Sequence, residues 1–482
     1  MLSSKEERVL NFSSPSVCIL VGHVIDQLRT LPDASVQMCV TSPPYWGLRD
    51  YSRCGCATRR FYSETMRTYG TPGLGGNISN GDPRTEKAPD PNCPKCHGSG
   101  KDDSLTVIWD AKDGCEHEWG EESTITKSGG TASEKVQIKG MDNFQKFEAS
   151  GGSFCCLCGA WRGQLGLEPT PDLYVKHIVT VFREVWRVMR DDGTLWLNMG
   201  DCYNAARDGG WAGGKGSLNQ GRDLSEIYQG RSGANVPGLK PKDLVGMPWR
   251  VAFALQADGW WLRSDIIWAK PNPMPESVTD RPTKAHEYVF LMTKSPRYFF
   301  DADAVREKNA PSSEARARDH LPNALDNPDY DSKHEPGDFR RFPMLDRLNP
   351  AGRNLRTVWT IATQPYPESH FATFPEALVE RCIKAGTSEK GCCATCGAAW
   401  ERVVQKTKLP EENKNIGFRP TCDHDGDPVP CVVLDPFAGS GTVGQVARNL
   451  GRSAILIEIK EEYATLIRKR VDMDHKALET YG

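Results

Sequence analysis

The alternation of strands and helices near the end of this 482-residue chain constrains its fold most strongly. Apolar runs at Val432–Leu434 and Ala454–Ile459 predict strands, because runs of this length are typical of strands buried in a sheet. Helical apolar spacing follows each run, over Val443–Leu450 and Glu461–Val471. Strands that alternate with helices in this way predict an α/β fold, built on a doubly wound, mostly parallel sheet.

The same patterns recur earlier in the chain. Further strands are predicted at Val17–Val21, Val36–Val40, Thr194–Met199, Trp261–Trp268 and Glu287–Met292. Further helices are predicted at Val24–Leu31, Leu173–Met189, Pro248–Asp258 and Pro375–Ala385, and Asp191-Asp192-Gly193 is expected to stop the second of them. Two cysteine-containing segments, Tyr51–Arg162 and Ser388–Cys431, interrupt this pattern and are interpreted as insertions.

A glycine-rich turn joins the Val432–Leu434 strand to the helix that follows. It reads Asp435-Pro436-Phe437-Ala438-Gly439-Ser440-Gly441-Thr442. Glycines let a ligand approach the backbone and the helix N-terminus closely. Glu458 ends the next strand, where a carboxylate can accept hydrogen bonds from both hydroxyls of a ribose. The turn also fits a dinucleotide-dependent enzyme, although its spacing is not Gly-x-Gly-x-x-Gly.

A second motif, Ser42-Pro43-Pro44-Tyr45, follows the Val36–Val40 strand. Prolines cannot continue a sheet ladder, so the chain turns at the carboxyl end of that strand, where open α/β sheets bind their ligands. Together with Trp46, the turn is expected to present a hydroxyl, backbone carbonyls and two aromatic rings. That set would hold a flat base with an exocyclic amino group. The alternative is an ordinary strand that ends at prolines.

The two motifs together resemble those of the DNA amino-methyltransferases, which methylate N4 of cytosine or N6 of adenine with S-adenosylmethionine. The family's Asp/Ser-Pro-Pro-Tyr and Phe-x-Gly-x-Gly motifs match Ser42–Tyr45 and Phe437–Gly441. The resemblance covers residues 14–50, 163–300 and 365–472. The catalytic motif precedes the cofactor motif, an order similar to that of the permuted β group of the family.

The resemblance implies roles for the motif residues. The catalytic set is Ser42, Pro43, Pro44 and Tyr45. The Ser42 hydroxyl and the Pro43 carbonyl would accept hydrogen bonds from the two N–H groups of the amino group. Tyr45 would stack on a flipped base. The cofactor-binding set is Asp435, Pro436, Phe437, Gly439, Ser440, Gly441, Thr442 and Glu458, with Phe371, Thr373 and Phe374 closing over the methionine part of the cofactor. The family commonly has Gly-Asp after its first strand, but this chain has Gly22-His23. The polar contact of that aspartate is therefore supplied by His23, supplied by a neighbour, or missing.

The resemblance also assigns a substrate and a division of the chain. Ser42 favours N4 of cytosine, because adenine enzymes of the family more often carry Asp at that position, and N6 of adenine is the alternative. A zinc DNA-binding protein without catalysis is a more distant alternative, which would leave the Ser42–Tyr45 and Asp435–Thr442 motifs unexplained. The methyltransferase domain would comprise 1–50 (its catalytic half), 163–300, 359–391 and 428–482 (its cofactor-binding half), with insertions at 51–162 and 392–427 and a target recognition region at 301–358. Arginines in that region could read guanine edges or hold phosphate, or form part of a mixed-charge surface. The proline-rich segment Lys270–Ser277 is expected to line the base pocket or the DNA path.

The 17 cysteines cluster at metal-ligand spacings. Each of two segments combines a Cys-x-x-Cys pair with a Cys-x-His pair, enough for a closed structural zinc site that stabilises an insertion. The first set is Cys115, His117, Cys155 and Cys158, and the second is Cys393, Cys396, Cys422 and His424. Cys54, Cys56, Cys93 and Cys96 are candidates for a third site. The other arrangement exchanges ligands among Cys93, Cys96, Cys115, His117, Cys155 and Cys158. The alternative is that the cysteines are free.

Composition limits the remaining choices. The formal net charge of -3 gives no global basic field, so double-stranded DNA would be bound through local patches. No apolar run reaches the ~20 residues of a membrane span, and the polar N-terminus lacks a signal-peptide pattern. The sequence therefore predicts a cytoplasmic protein with no membrane partner. We expect a monomer or a homodimer, and a cognate restriction endonuclease could accompany it.

Overall fold

The structure is a computed structural model that describes residues 12–47, 106–124, 150–204, 239–240, 242–276, 278–313, 315, 352–364, 374–405 and 414–471. The chain forms two compact units. The first unit comprises Met1–Pro43, Val179–Gly200 and Pro248–Gly482, and the second unit comprises Pro44–Ile178 and Asp201–Met247. The boundary between the units falls inside the Ser42–Tyr45 motif.

The described elements are numbered in chain order. The strands are β1 (Val17–Val21), β2 (Val36–Thr41), β3 (Val107–Trp109), β4 (Trp119–Thr124), β5 (Ser150–Cys155), β6 (Trp161–Gly163), β7 (Met189–Met199), β8 (Trp261–Ala269), β9 (His286–Thr293), β10 (Val358–Thr360), β11 (Cys392–Cys393), β12 (Glu401–Gln405), β13 (Lys414–Arg419), β14 (Pro428–Val429), β15 (Val432–Asp435) and β16 (Ser453–Glu458). The helices are α1 (Val24–Thr30), α2 (Pro171–Val188), α3 (Met247–Ala257), α4 (Glu376–Gly386), α5 (Thr442–Asn449) and α6 (Glu461–Arg470). A short 3-10 helix covers Asp303–Val305.

An eight-stranded sheet forms the core of the first unit, in the order β1-β16-β15-β2-β7-β9-β8-β10. Only β9 runs antiparallel to its neighbours, and the other pairings are parallel. The predicted mostly parallel sheet is confirmed. Strands β2, β15 and β16 are buried along their whole length, as strands covered on both faces must be. Because the parallel strands share one direction, β1, β2, β7, β15 and β16 all end at the same carboxyl edge.

Helices cover this sheet with apolar side chains. Val379 and Ile383 of α4 and Val443 and Ala447 of α5 pack in one buried cluster with Met38 of β2. The bounds of α4, α5 and α6 lie within a residue or two of the predicted ones, because their apolar periodicity is strong. The sheet and these helices position both motifs.

Two details of the main sheet differ from the sequence prediction. Asp191-Asp192-Gly193 was expected to stop the preceding helix and to come before a strand that begins at Thr194; α2 ends at Val188, but the three residues lie inside β7, which begins at Met189. The pairing of β2 with β7 jumps from Val36↔Met189 to Met38↔Thr194, so an irregular segment accommodates the two aspartates and Gly193 within the strand. Strand β10 was not predicted, because three residues are too few to show a period.

The second unit contains a four-stranded antiparallel sheet in the order β3-β6-β5-β4. It lies in the segment that was interpreted as an insertion, where apolar periodicity is weak. Trp109 of β3 is directly opposite Trp161 of β6, and both side chains are buried. Large aromatic side chains thus supply much of the apolar surface that this short-stranded sheet buries.

Two small antiparallel pairs, β11 with β14 and β12 with β13, lie between α4 and β15 in the chain. They account for the second predicted insertion. Within the described ranges, no helix combines the length and the apolar character that crossing a bilayer requires.

Candidate active site

The Ser42 turn and the glycine-rich turn begin at neighbouring strand ends in the first unit. Strand β2 pairs in parallel with β15 through Met38↔Val433 and Cys39↔Leu434. At the carboxyl edge, Thr41 Oγ1 donates a hydrogen bond of 2.6 Å to Asp435 Oδ1, and both side chains are buried. Two stretches that are 394 residues apart in the chain are therefore joined at their starting points.

Asp435 is turned into the protein and fixes the start of the glycine-rich turn. Its Oδ1 also accepts a hydrogen bond from the backbone N–H of Phe437 at 3.1 Å. Burial raises the pKa of Asp435 to about 7, although the hydrogen bonds from Thr41 and Phe437 act in the opposite direction. Among the predicted cofactor residues, Asp435 thus orients the turn.

Glu458 lies across the same turn from Asp435. Its Oε2 accepts a hydrogen bond from Gly439 N at 2.9 Å, and its Oε1 accepts one from Lys460 N at 3.0 Å. A carboxylate oxygen accepts more than one hydrogen bond, so both oxygens can still accept from ligand hydroxyls. Burial is the main cause that raises the pKa of Glu458 to about 7. The position at the end of β16 is the one that the sequence predicted.

The rest of the glycine-rich turn is held by a residue that the sequence reasoning missed. Arg470 donates hydrogen bonds to Ser440 Oγ and Thr442 Oγ1, each at 3.0 Å, and to Glu376 Oε1 at 3.0 Å. The hydroxyls of Ser440 and Thr442 therefore contact protein. Gly441 precedes α5 with a φ of +78°, and an added Cβ there would lie 2.8 Å from Ile467 Cγ2, so only glycine fits.

Ser42 lies beside a polar network at the same edge of the sheet. Asn198 Nδ2, near the end of β7, donates a long hydrogen bond of 3.4 Å to Ser42 Oγ and another of 2.9 Å to Glu287 Oε2. Lys270, just after β8, forms an ion pair with Glu287 Oε1. The sequence reasoning did not select Asn198 or Glu287. Asn198 carried a signal, because it is a polar residue inside the buried run Leu195–Met199.

The second half of the motif is held within the second unit. Tyr174 Oη donates a hydrogen bond of 2.8 Å to the Pro44 carbonyl. Trp46 is 1% exposed, and its Nε1 donates to the Glu168 carbonyl at 2.8 Å. The expectation that the turn presents two aromatic rings is therefore wrong for Trp46, which anchors the turn in the interior. Tyr45, the other ring, is half-buried.

Among the other positions named from the sequence, the structure describes His23 and Phe374. His23 immediately precedes α1, and its Nδ1 lies 3.7 Å from Asp26 Oδ2. Burial lowers the pKa of His23. Phe374 packs partly buried against the main core. Phe371 and Thr373 lie outside the described residues.

The two motifs can be compared with known proteins. Residues 36–469 match the model of the N6/N4 DNA methylase family. The chain belongs to this family. The resemblance drawn from the Ser-Pro-Pro-Tyr and Phe-x-Gly-x-Gly motifs is confirmed, and the protein is a DNA methyltransferase of the N4/N6 amino-methyltransferase family.

The relatives of this methylase include two Type II methyltransferases from bacteria. Type II methyltransferase M.SmaI of Serratia marcescens is 39% identical over 313 residues, which cover 64% of this chain and 77% of the relative. Type II methyltransferase M.Cfr9I of Citrobacter freundii is 38% identical over 308 residues, 64% of this chain and 74% of the relative. Among solved structures, the PvuII DNA methyltransferase (cytosine-N4-specific) aligns over 97% of this chain and 92% of its own, with 13% identity. The TM-score of this alignment is 0.42.

The methylase also brings the first predicted set of metal ligands together in its second unit. The ligand atoms of Cys115, His117, Cys155 and Cys158 all lie within 4.8 Å of one another. Cys115 Sγ is 3.9 Å from Cys155 Sγ, and Cys158 Sγ is 3.4 Å from His117 Nδ1. Tetrahedral zinc with Zn–S bonds of about 2.3 Å separates two sulfurs by about 3.8 Å. The donor set and its spacing therefore fit zinc.

The second predicted set is assembled in the first unit. The ligand atoms of Cys393, Cys396, Cys422 and His424 also lie within 4.8 Å of one another. Both Cys-x-x-Cys-Gly turns have the same backbone pattern: Gly159 N donates to Cys155 O at 2.9 Å, and Gly397 N donates to Cys393 O at 2.8 Å. The third predicted set, Cys54, Cys56, Cys93 and Cys96, lies outside the described residues.

Proposed function

We propose that this methylase transfers a methyl group from S-adenosylmethionine to N4 of cytosine in double-stranded DNA. The observation that carries the proposal is the hydrogen bond between Thr41 and Asp435, 2.6 Å long, at the ends of two adjacent parallel strands. It starts the Ser42 turn and the glycine-rich turn from one point. A base held by the first turn and a cofactor held by the second would meet at the carboxyl edge, where open α/β sheets bind ligands.

The residues around the glycine-rich turn fit the proposed cofactor. Glu458 would accept hydrogen bonds from the two ribose hydroxyls, and the turn from Asp435 to Thr442 would follow the cofactor up to the start of α5. Phe374, with Phe371 and Thr373, would cover its methionine part. The bound cofactor supplies an electrophilic methyl group on a sulfonium. The contribution of the chain is to orient this methyl group and exclude water from it.

The Ser42 turn would prepare the amino group for attack. The lone pair of an exocyclic amino nitrogen is delocalised into the ring, so acceptors for its two N–H bonds favour a nitrogen with an available lone pair. Ser42 Oγ and the Pro43 carbonyl would be those acceptors. Asn198, itself held by Glu287 at 2.9 Å, would fix the orientation of the Ser42 hydroxyl. Pro44 makes the turn rigid, and Tyr45 would stack on a base flipped from the duplex.

The choice of base follows from Ser42. A neutral hydroxyl, rather than the carboxylate more common in the adenine enzymes of the family, supports N4 of cytosine. N6 of adenine is the second candidate, because both bases offer an amino group beside a ring nitrogen. The target sequence would be read by residues 301–358. There Arg353 and Arg356 contact Glu307 Oε2 at 2.9 and 2.8 Å, so DNA would compete with this carboxylate for them.

The test is to incubate the purified protein with DNA and S-adenosylmethionine, digest the DNA and identify methylated nucleosides by mass spectrometry. N4-methylcytosine is expected. N6-methyladenine in its place would overturn the choice of base, and no methylated nucleoside would overturn methyl transfer. Ser42→Ala should lower kcat by about 100-fold through loss of a positioned polar contact. The matched control Ser13→Ala, at an exposed serine outside both motifs and outside residues 301–358, should leave kcat unchanged.

We also propose that each Cys/His cluster binds one zinc ion, which would stabilise segments with little core of their own. Metal analysis of protein purified without added zinc tests this. Substitution with cobalt should give the absorption bands of thiolate-bound Co²⁺. Metal-free protein with unchanged thermal stability would contradict the proposal. The domain boundaries given above, a monomeric or homodimeric state and a cognate restriction endonuclease stay predictions, the last one in keeping with the Type II relatives.

A further inference from the structure

A buried pair of ionisable residues in the second unit lies outside the two sequence motifs. Glu168 and His177 are both fully buried, and Glu168 Oε1 lies 2.9 Å from His177 Nδ1. Burial of a carboxyl group and an imidazole costs free energy unless the two are paired and hydrogen-bonded. Burial raises the pKa of Glu168, whereas the contact with His177 acts in the opposite direction. Such a pair needs an explanation in terms of what it holds.

Glu168 holds the chain that follows the Pro44–Tyr45 half of the motif. Its Oε2 accepts a hydrogen bond from Gly166 N at 2.8 Å, and its carbonyl accepts the indole N–H of Trp46, also at 2.8 Å. The Gly166 carbonyl accepts a hydrogen bond from Gly47 N at 2.9 Å. The segment from Gly166 to Glu168 therefore holds both residues that follow Tyr45.

The same segment also packs against Pro44 and Tyr45 themselves. Gly166 has a φ of +92°, and an added Cβ would lie 3.3 Å from both Pro44 Cβ and the Tyr45 carbonyl oxygen. Tyr174, three residues before His177 on α2, binds the Pro44 carbonyl at 2.8 Å. The Pro44–Gly47 turn is thus held on one side by the Gly166–Glu168 segment and on another by α2.

His177 connects this arrangement to the antiparallel sheet. Its ring stacks on Trp109 of β3 at 4.6 Å between centroids and on Trp161 of β6 at 5.3 Å. Trp161 follows Cys158 by three residues, and Trp109 precedes Cys115 by six. Cys115 follows β3 and Cys158 precedes β6, so both tryptophans are on strands that adjoin the first Cys/His cluster.

We propose that Glu168 and His177 are positioning residues for methyl transfer, and that metal at the first Cys/His cluster keeps the two tryptophans in place against His177. The proposal rests on the function proposed for the Ser42–Tyr45 motif. Metal at Cys115, His117, Cys155 and Cys158 orders β3 and β6, and the tryptophans of these strands hold the His177 ring in place. His177 in turn holds Glu168, and Glu168 holds the Pro44–Gly47 turn. Loss of metal then changes the turn that carries Tyr45, although no metal ligand contacts the base.

The first arm of the test uses Glu168→Gln, which keeps the shape of the side chain and alters its pairing with His177. We expect kcat to fall by about 100-fold, since a small misplacement of a positioning group has effects of this size. KM for S-adenosylmethionine should stay within about twofold, because the cofactor residues do not depend on the Glu168 contacts. The matched control Arg183→Met changes an exposed residue farther along α2, whose partner Asp258 has no contact with His177, and should leave kcat unchanged.

The second arm does not depend on activity. Hydrogen–deuterium exchange at the Gly47 and Gly166 amides is measured in wild type, Glu168→Gln and His177→Phe. Exchange at both amides should rise by about tenfold or more in each variant. Wild-type protein treated with a chelator, with zinc release followed by a metal indicator, should show the same rise at Gly47.

The outcomes separate the two proposals. No methylation by wild-type protein would overturn the proposed function itself. Methylation by wild type, combined with an unchanged kcat and unchanged exchange at Gly47 in Glu168→Gln, would overturn the positioning role alone. If both variants fail to fold, the chelated wild type decides, and Gly47 exchange that does not respond to zinc release contradicts the link. A fall in thermal stability with unchanged kcat per folded enzyme would show a purely structural role.

Discussion

The two Cys/His clusters use the same Cys-x-x-Cys-Gly turn but are attached to different parts of the methylase. The first belongs to the antiparallel sheet of the second unit, where Trp109 and Trp161 stack on His177. The second lies against the amino ends of the parallel strands in the first unit. A ligand set alone does not tell what a metal does, because its effect depends on which residues the ordered segment touches.

The attachment of the second cluster is specific. Gln37, near the start of β2, donates a hydrogen bond of 3.1 Å to Gly397 O and accepts one of 2.6 Å from Val432 N at the start of β15. Arg190, near the start of β7, binds the Cys396 carbonyl. Four residues of extended strand, about 13 Å, separate Gln37 from Thr41 at the carboxyl edge of the sheet. We therefore expect the second cluster to affect the stability of the sheet and the first to affect the reaction.

The largest effect should follow from loss of metal at the second cluster. Cys393→Ser should lower the free energy of unfolding by about 4 kcal/mol. This is the stabilisation that a bound metal ion gives when it is present at about a thousand times its Kd. The kcat of the folded fraction should stay within about twofold, because the cluster is at the opposite edge from Ser42. Urea unfolding and active-site titration measure both quantities. Thr395→Ala, at an exposed residue inside the same turn, is the control, and a large fall in kcat would break the comparison.

Loss of metal at the first cluster should have the opposite signature. Cys155→Ser combined with Cys158→Ser is expected to lower kcat by about 100-fold, which is about 2.7 kcal/mol of activation free energy. The control is Cys156→Ser, because Cys156 is exposed, adjacent in sequence and outside the cluster. Single-turnover methylation measures the effect. Variants that lose stability but keep their single-turnover rate would show that the two clusters are equivalent.

The link between the second cluster and the sheet can be broken without touching a metal ligand. Gln37→Met keeps much of the side-chain volume and removes the hydrogen bonds to Gly397 O and Val432 N. Leaving these buried groups without their partner should cost about 2 kcal/mol of stability. Zinc content should not change, as metal analysis would verify. Thermal stability equal to that of wild type would mean that Gln37 does not connect the cluster to the sheet.

The smallest effect concerns how the Kd for S-adenosylmethionine depends on pH through Glu458. Glu458 has its pKa raised to about 7, and the proposed contacts to ribose need its carboxylate form. Lowering the pH from 8 to 6 should therefore raise the Kd for S-adenosylmethionine by about tenfold. Without cofactor the same group contributes stability below its unfolded pKa of 4.5, and this contribution is lost as the pH rises through about 7.

Isothermal titration calorimetry of wild type and Glu458→Gln checks this prediction. The variant should bind weakly at every pH, with a flatter pH dependence than wild type. Cys393→Ser should keep the pH dependence of wild type, because its cluster is at the far edge of the sheet. A changed pH dependence in that variant would show that the second cluster acts on the cofactor site after all.

The sequence predicted those parts of the molecule that have a local pattern. The apolar runs and helical periods gave the parallel sheet, and the Cys-x-x-Cys and Cys-x-His spacings gave two ligand sets that the fold assembles. Contacts between distant polar side chains have no such pattern. Arg470 and Asn198 were therefore missed, although each contacts one of the predicted motifs. Glu168, which binds Trp46 just after the second motif, was missed as well.

Trp46 shows why neighbours in sequence can be misread. Its position beside Tyr45 favoured a shared role in holding a base. In the structure Trp46 is directed into the interior and binds the Glu168 carbonyl. Local sequence does not specify which of two adjacent rings turns inward, because the deciding partner lies more than a hundred residues away in the chain.

The order of strands in the main sheet has a consequence for synthesis of the protein. Strands β1 and β2 are consecutive in the chain, but β16 and β15 lie between them in the sheet. The middle of the sheet is thus completed by strands that leave the ribosome hundreds of residues after their neighbours. At translation rates of about 5–20 residues per second, the early strands wait tens of seconds or more for these partners. A nascent chain that ends before Asp435 lacks the glycine-rich turn. We therefore expect incomplete products to leave the DNA of the cell unmethylated.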